Sequence, residues 1–161
     1  MRHISGGAFL VALGFVLMHS AVPGQKAKLE PPSALQLWSS FKRELTGPDG
    51  QKYFDQNLSG SMVPGGAGGV EYFTGTLLSA EPAEQPRVLV LAISDRSTPE
   101  VTLRFKNSKW DDTHITGPLM RGSVIQFEGV PISFTQEPFM LTFGVSTTER
   151  SHIRVVRRQA R

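Results

Sequence analysis

Between Val70 and Val145 the chain carries five short apolar-rich stretches separated by turn residues, and three of them alternate apolar and polar side chains with a period of two. Val101, Leu103 and Phe105 fall on one side of their stretch, with Thr102, Arg104 and Lys106 on the other. Ile125 and Phe127 oppose Val124, Gln126 and Glu128 in the same way, and Phe139, Leu141, Phe143 and Val145 oppose Met140, Thr142 and Gly144. Period-two alternation is the mark of a strand with one face on a core and one in water. Strands are therefore expected over Val70–Leu78, Val88–Asp95, Glu100–Lys106, Gly122–Gly129 and Phe139–Phe143. Val88 to Ile93 is continuously apolar, which suits a central position, and the polar run Ser94–Pro99 suits a hairpin loop. Gly75, inside the first stretch, is expected to mark a bulge or bend.

This succession resembles the tRNA-anticodon-binding type of OB domain. The residues that carry the resemblance are the glycine-broken first strand, Leu89–Asp95, Pro99–Leu103, Phe139–Phe143, and a fourth strand with a glycine at each end, Gly122 and Gly129. It implies a mainly β fold with an N-terminal helix and a five-stranded OB-like Greek-key barrel over residues 70–147. The combination of helix and barrel is also similar to small exported bacterial proteins. OB folds bind oligonucleotides, sugars and proteins alike, so the resemblance leaves the ligand open. Two departures narrow it. Asn107–Arg121, where OB domains usually carry a helix, holds Gly117-Pro118 and no helical stripe, so an irregular loop is expected. Single-strand binders present aromatic platforms on strands two and three, whereas Phe105 is the one aromatic there and belongs with the core set. Nucleic acid is therefore not the expected partner.

Residues 1–24 form a separate unit. Arg2 and His3 precede an apolar run of 13 residues, Gly6–Met18, and small or polar residues follow to Gly24. That order is the signature of a secretory signal, and the run is shorter than the ~20 residues of a membrane-spanning helix. Cleavage is expected near Ala21 or Gly24, with membrane contact only through the leader unless it stays uncut. The expected location is periplasmic or secreted. The chain has no cysteine, which removes a lipoprotein anchor, disulfides, thiolate metal sites and a cysteine nucleophile together. About 135 residues beyond the leader suffice for one domain with a core.

Residues 25–69 are expected to be helical and then glycine-rich. Ser33 and Gln36 have capping-box spacing after Pro31-Pro32, and Ala34, Leu37, Trp38, Phe41 and Leu45 recur at helical intervals up to Gly47-Pro48. The Trp38 and Phe41 stripe is expected to dock the helix on the sheet. Phe54, Leu58 and Met62 permit a second short helix. Pro64–Gly69 is expected to be a hinge rather than a phosphate cradle, because a helix precedes it and a strand follows.

The net charge of +3 is unevenly placed. Residues 148–161 form a basic tail in which Arg150, Arg154, Arg157, Arg158 and Arg161 face one acid, Glu149, while residues 25–148 carry eleven basic and thirteen acidic side chains. These arginines are candidates for an anionic surface: lipid head groups, envelope polysaccharide or nucleic acid. Ile153, Val155 and Val156 interrupt them, which leaves open a short strand or a loose chain end. Arg104 and Lys106 are candidates for an anionic ligand in an OB-type groove across strands two and three and the loops Leu78–Arg87 and Asn107–Arg121. Asp111, Asp112 and His114 have the donor types for a metal-assisted hydrolase, but the other histidine beyond the leader is His152, and Asp/Thr turn chemistry accounts for the cluster. No Gly-x-Ser-x-Gly nucleophile motif occurs. The sequence thus points to an exported, non-enzymatic binding or interaction module without a cofactor or metal. Its expected partner is an envelope protein, a glycan or an anionic surface. The alternatives are the hydrolase and a tether acting through the C-terminal arginines.

Overall fold

The computed structural model describes residues 33–83, 86–105, 119–145 and 152–157. The leader, the cleavage site and the spacer before Ser33 lie outside them. Helix α1 spans Ala34–Thr46 and starts as its sequence predicts. The Ser33 hydroxyl accepts from the Gln36 N–H at 3.2 Å, and Gln36 Oε1 accepts from the Ser33 N–H at 2.8 Å. This reciprocal pair satisfies two of the donors that every helix start leaves free. A second helical piece begins as α2, Gly50–Tyr53, and widens into a π-helical turn over Phe54–Leu58. Phe54 and Leu58 are buried, whereas Met62, the third member of that predicted stripe, is exposed.

Seven strands follow: β1 Phe73–Glu81, β2 Val88–Ala92, β3 Val101–Phe105, β4 Val124–Phe127, β5 Val130–Thr135, β6 Met140–Val145 and β7 Ile153–Arg157. The five expected strands correspond to β1, β2, β3, β4 and β6, and the sheet adds β5 and β7. Its order is β5-β6-β3-β2-β1-β4-β7. Every neighbouring pair is antiparallel except β3 and β6, which run parallel with Val101 opposite Leu141 and Phe105 opposite Val145. Among the described residues no ladder joins the outer strands β5 and β7, so the sheet is not closed. Within the basic C-terminal stretch, Ile153–Arg157 is a strand, paired to β4 from Phe127–Ile153 to Val124–Arg157.

Strand alternation places the core as expected. Leu89, Leu91, Val101, Leu103, Ile125, Leu141, Phe143 and Val145 are fully buried on one face. An aromatic chain runs through it: Trp38 meets Phe73 edge-on at 5.4 Å, Phe73 meets Phe127 at 5.8 Å, and Phe127 meets Phe143 at 5.4 Å. Trp38 also packs on Phe139 at 6.0 Å, so the apolar stripe of α1 covers the sheet rather than facing water. Geometries of this kind add about 0.5–1.5 kcal/mol per pair beyond buried area.

Two glycines of the sheet lie close against neighbouring backbone. Gly75 is not the site of the irregularity in β1. It stays in register opposite Ile125, and the bulge lies between Leu77 and Ser79. A Cβ on Gly75 would stand 3.1 Å from the Ala92 carbonyl oxygen, a tight contact that the neighbouring strand would have to relieve by moving slightly. Gly129 separates β4 from β5, and its Cβ would stand 3.0 Å from the Gly144 carbonyl oxygen. Gly129 also exchanges both backbone hydrogen bonds with Val63, at 2.8 and 2.9 Å. The Pro64–Gly69 segment is thus held at its start against the sheet. It turns through its own hydrogen bonds, such as Ala67 N–H to the Pro64 carbonyl at 2.8 Å.

Candidate functional site

An open cationic surface lies on the outward face of β1, β4 and β7. Thr74 pairs with Gln126, which pairs with Arg154, and Thr76 pairs with Val124, which pairs with Arg157. These two rows lie side by side and point away from the core, because Phe73, Gly75, Ile125 and Phe127 occupy the alternate, buried positions. Arg154 and Arg157 are three residues apart on β7, an odd separation that regular alternation would send to opposite faces. A register irregularity between Val124 and Ile125 absorbs the extra residue and returns both arginines to one side.

A depression of about 360 Å³ opens at one end of this face, lined by Thr74, Thr76, Ser94, Asp95, Arg96 and Arg157. A groove of about 470 Å³ opens beside Arg154, lined also by Ser33, Glu71, Tyr72 and Gln126. The Arg154 guanidinium sits over the Tyr72 ring, 4.6 Å from its centroid. That stacking is worth about 0.5–1 kcal/mol at an exposed site and fixes the cation in place. Arg96, Arg154 and Arg157 are exposed and form no ion pair among the described residues. Each basin carries one carboxylate, Asp95 and Glu71. Asp95 accepts from the Ser97 and Thr98 N–H groups, both at 2.6 Å. Hydrogen bonds from Thr98 and then Ser97 lower its pKa to about 2, so it stays ionised and holds the β2–β3 turn that carries Arg96.

A second polar cluster faces inward. Glu100, 1% exposed, accepts from Lys42 Nζ at 2.6 Å, from the Ser94 N–H at 2.6 Å and hydroxyl at 2.7 Å, and from the Ile93 N–H at 3.1 Å. Burial, the largest influence, pushes its pKa up. The hydrogen bonds from Lys42, Ser94 and Ile93 together outweigh burial and bring it below the ordinary value. This cluster ties α1 to the start of β3. The Gln136 side chain ties the C-terminal end of the helix, donating to the Leu45 and Gly47 carbonyls at 3.0 and 3.2 Å. A helix end leaves its last carbonyls without partners inside the helix, and Gln136 supplies a donor there.

The sequence candidates divide between these environments and the undescribed parts. Arg104 is exposed on β3, opposite Val88. Four strand spacings separate β3 from β7, about 19 Å measured along the sheet, so Arg104 does not share the Arg154–Arg157 rows. Lys106, Asp111, Asp112, His114, Arg150, Arg158 and Arg161 lie outside the described residues. His152 Nδ1 lies 2.8 Å from Glu128 Oε1 at the β4–β7 junction. Among the described residues no group of three or more His, Cys, Asp or Glu side chains could hold a metal ion, and no helix is long and apolar enough to cross a membrane. Sequence reasoning did not single out Tyr72, Thr74, Thr76, Arg96 or Gln126 as site residues. The available signal was alternation around Phe73: with that ring in the core, Tyr72, Thr74 and Thr76 turn outward.

No protein-family model, curated protein or solved structure matches the chain. Chemically, the outward face offers guanidinium donors, threonine hydroxyls and one amide, an array suited to holding anionic oxygens.

Proposed function

We propose that the chain is an exported, non-enzymatic binding module built on an OB-like barrel, and that it binds anionic ligands on the outward face of β1, β4 and β7. The observation that carries this reading is the set of three exposed arginines, Arg96, Arg154 and Arg157, gathered from two distant segments onto one face without an ion pair among the described residues. The OB-like reading is supported by the β1-β2-β3 meander, the parallel β3–β6 pairing and the β5–β6 hairpin. It is supported further by the passage from β4, which pairs with β1, to β5, which pairs with β6, across Glu128 and Gly129 alone. A strand bent at one point and shared between both sides of a sheet is how a small barrel closes. Export rests on the leader-like order of residues 1–24.

The test is retention on a sulfated-dextran matrix under rising salt. The protein is expected to be retained at low ionic strength and released as screening increases, with Arg154→Gln/Arg157→Gln eluting earlier. Equal retention of the double variant would remove this face from the function. Turnover of an envelope substrate by the purified protein would replace a binding module with an enzyme.

A further inference from the structure

Resting on that anion-binding reading, we propose that the ligand is a linear acidic polysaccharide laid along β7, held by Arg154, Arg157 and Arg96 in succession. Arg154 and Arg157 oppose Gln126 and Val124, two residues apart on β4, so their positions are offset by about 7 Å parallel to the strands. The depression beside Arg157 and the groove beside Arg154 therefore lie along one path, with Arg96 bordering the former. A single small anion fills one basin, whereas a chain with repeating charges engages both. The lining chemistry selects the kind of chain. Thr74, Thr76, Ser33 and Gln126 provide neutral donors and acceptors matched to a hydroxyl-rich polymer. Tyr72 is the aromatic residue in these basins, and one of its faces is covered by Arg154, which leaves no row of platforms for stacked bases. Asp95 and Glu71 each set one carboxylate among these cations, so the face suits a polymer with one charge per sugar unit better than one with several.

The experiment is calorimetric titration of the full chain with galacturonic acid, polygalacturonate, neutral dextran and a single-stranded oligonucleotide at matched salt. Polygalacturonate is expected to bind at least about tenfold more tightly per charged unit than the monomer, because the second contact becomes intramolecular. Arg154→Gln and Arg157→Gln are each expected to weaken the polymer about three- to tenfold while thermal unfolding stays cooperative and shifts by only a few degrees, and Lys52→Gln, exposed on α2, to leave binding as it was. Equal binding of monomer and polymer would overturn the linear ligand while sparing the anion reading. Tighter binding of the oligonucleotide would overturn the polysaccharide. Loss on Arg104→Gln with both β7 variants silent would move the site to β3 and overturn the placement. Failure to bind any of the anions would remove the proposed function itself.

Discussion

Lys42 on α1 and the arginines of the β1–β4–β7 face are cations in opposite circumstances. Lys42 Nζ reaches a buried carboxylate at 2.6 Å and lies 5.5 Å from the Phe139 ring centroid, so its charge serves the packing of helix on sheet. Arg96 and Arg157 stand in an open depression, and Arg154 has an aromatic ring beneath it but no carboxylate partner among the described residues. A cation matched to a buried acid stabilises the fold, whereas an unmatched cation on a solvated strand adds little to it. The difference separates residues that the fold needs from residues available to a partner. Substitution on the two sides should therefore have opposite signatures, stability on one and binding on the other.

The severest test of that contrast is Trp38→Ala. The ring is fully buried between Phe73 and Phe139, and its removal is expected to cost about 3–5 kcal/mol, read as a large drop in the urea midpoint. Glu100→Ala comes next, at about 2–3 kcal/mol. It leaves the Ile93 and Ser94 N–H groups without their acceptor, while Lys42, 39% exposed, can turn to water. Gly129→Val forces a side chain against the Gly144 carbonyl and is expected to cost about 1–3 kcal/mol by the same measurement. Arg157→Gln should sit at the other end of the scale, within about 0.5 kcal/mol in stability, and Arg154→Gln, which also loses the Tyr72 contact, within about 1 kcal/mol. If either arginine variant destabilised the protein as much as Glu100→Ala, the contrast between the two regions would fail.

Acid probes the same contrast. The Glu100 carboxyl titrates below its ordinary value of 4.5 in the folded protein, so the folded state binds fewer protons than the unfolded one near that pH. Its stabilisation is complete above the ordinary glutamate range and is lost as pH falls through the lower folded value. Urea unfolding of the wild type should weaken on acidification through that window, and Glu100→Gln should weaken less. Identical pH slopes would mean that another acid controls the transition. Asp95, lowered to about 2, contributes with the same sign from its exposed turn.

Much of the local architecture was legible before any pairing was known. Ser33 and Gln36 marked the start of α1, and the stripe of Trp38, Phe41 and Leu45 marked its buried side. Two strands escaped the five-strand expectation for identifiable reasons. β5 contains Pro131, which cannot donate to a ladder and is tolerated because β5 lies at the edge of the sheet. β7 is rich in arginine and reads equally as a short strand or a loose chain end, because its burial of Ile153 against the sheet depends on β4 being there to receive it. The candidate site was legible only in part. Arg154 and Arg157 stood out as charge, but nothing in their spacing placed them together, and Arg96 is far from both in sequence.

The order of residues was enough to set which side of each expected strand is apolar, where α1 begins, and that the C-terminal charge is concentrated in a few residues. These are local properties, fixed by the geometry of a helical turn and by the period of a strand. Long-range pairing settled the rest: β3 lies parallel to β6, the chain bends at Gly129 between two partners, and β7 docks on β4 with one extra residue. Strand partners and register depend on contacts between distant segments, and a one-residue shift reverses the face of every side chain that follows. That dependence is why the basic tail could be counted along the chain, while the cationic face existed only once β7 had found β4.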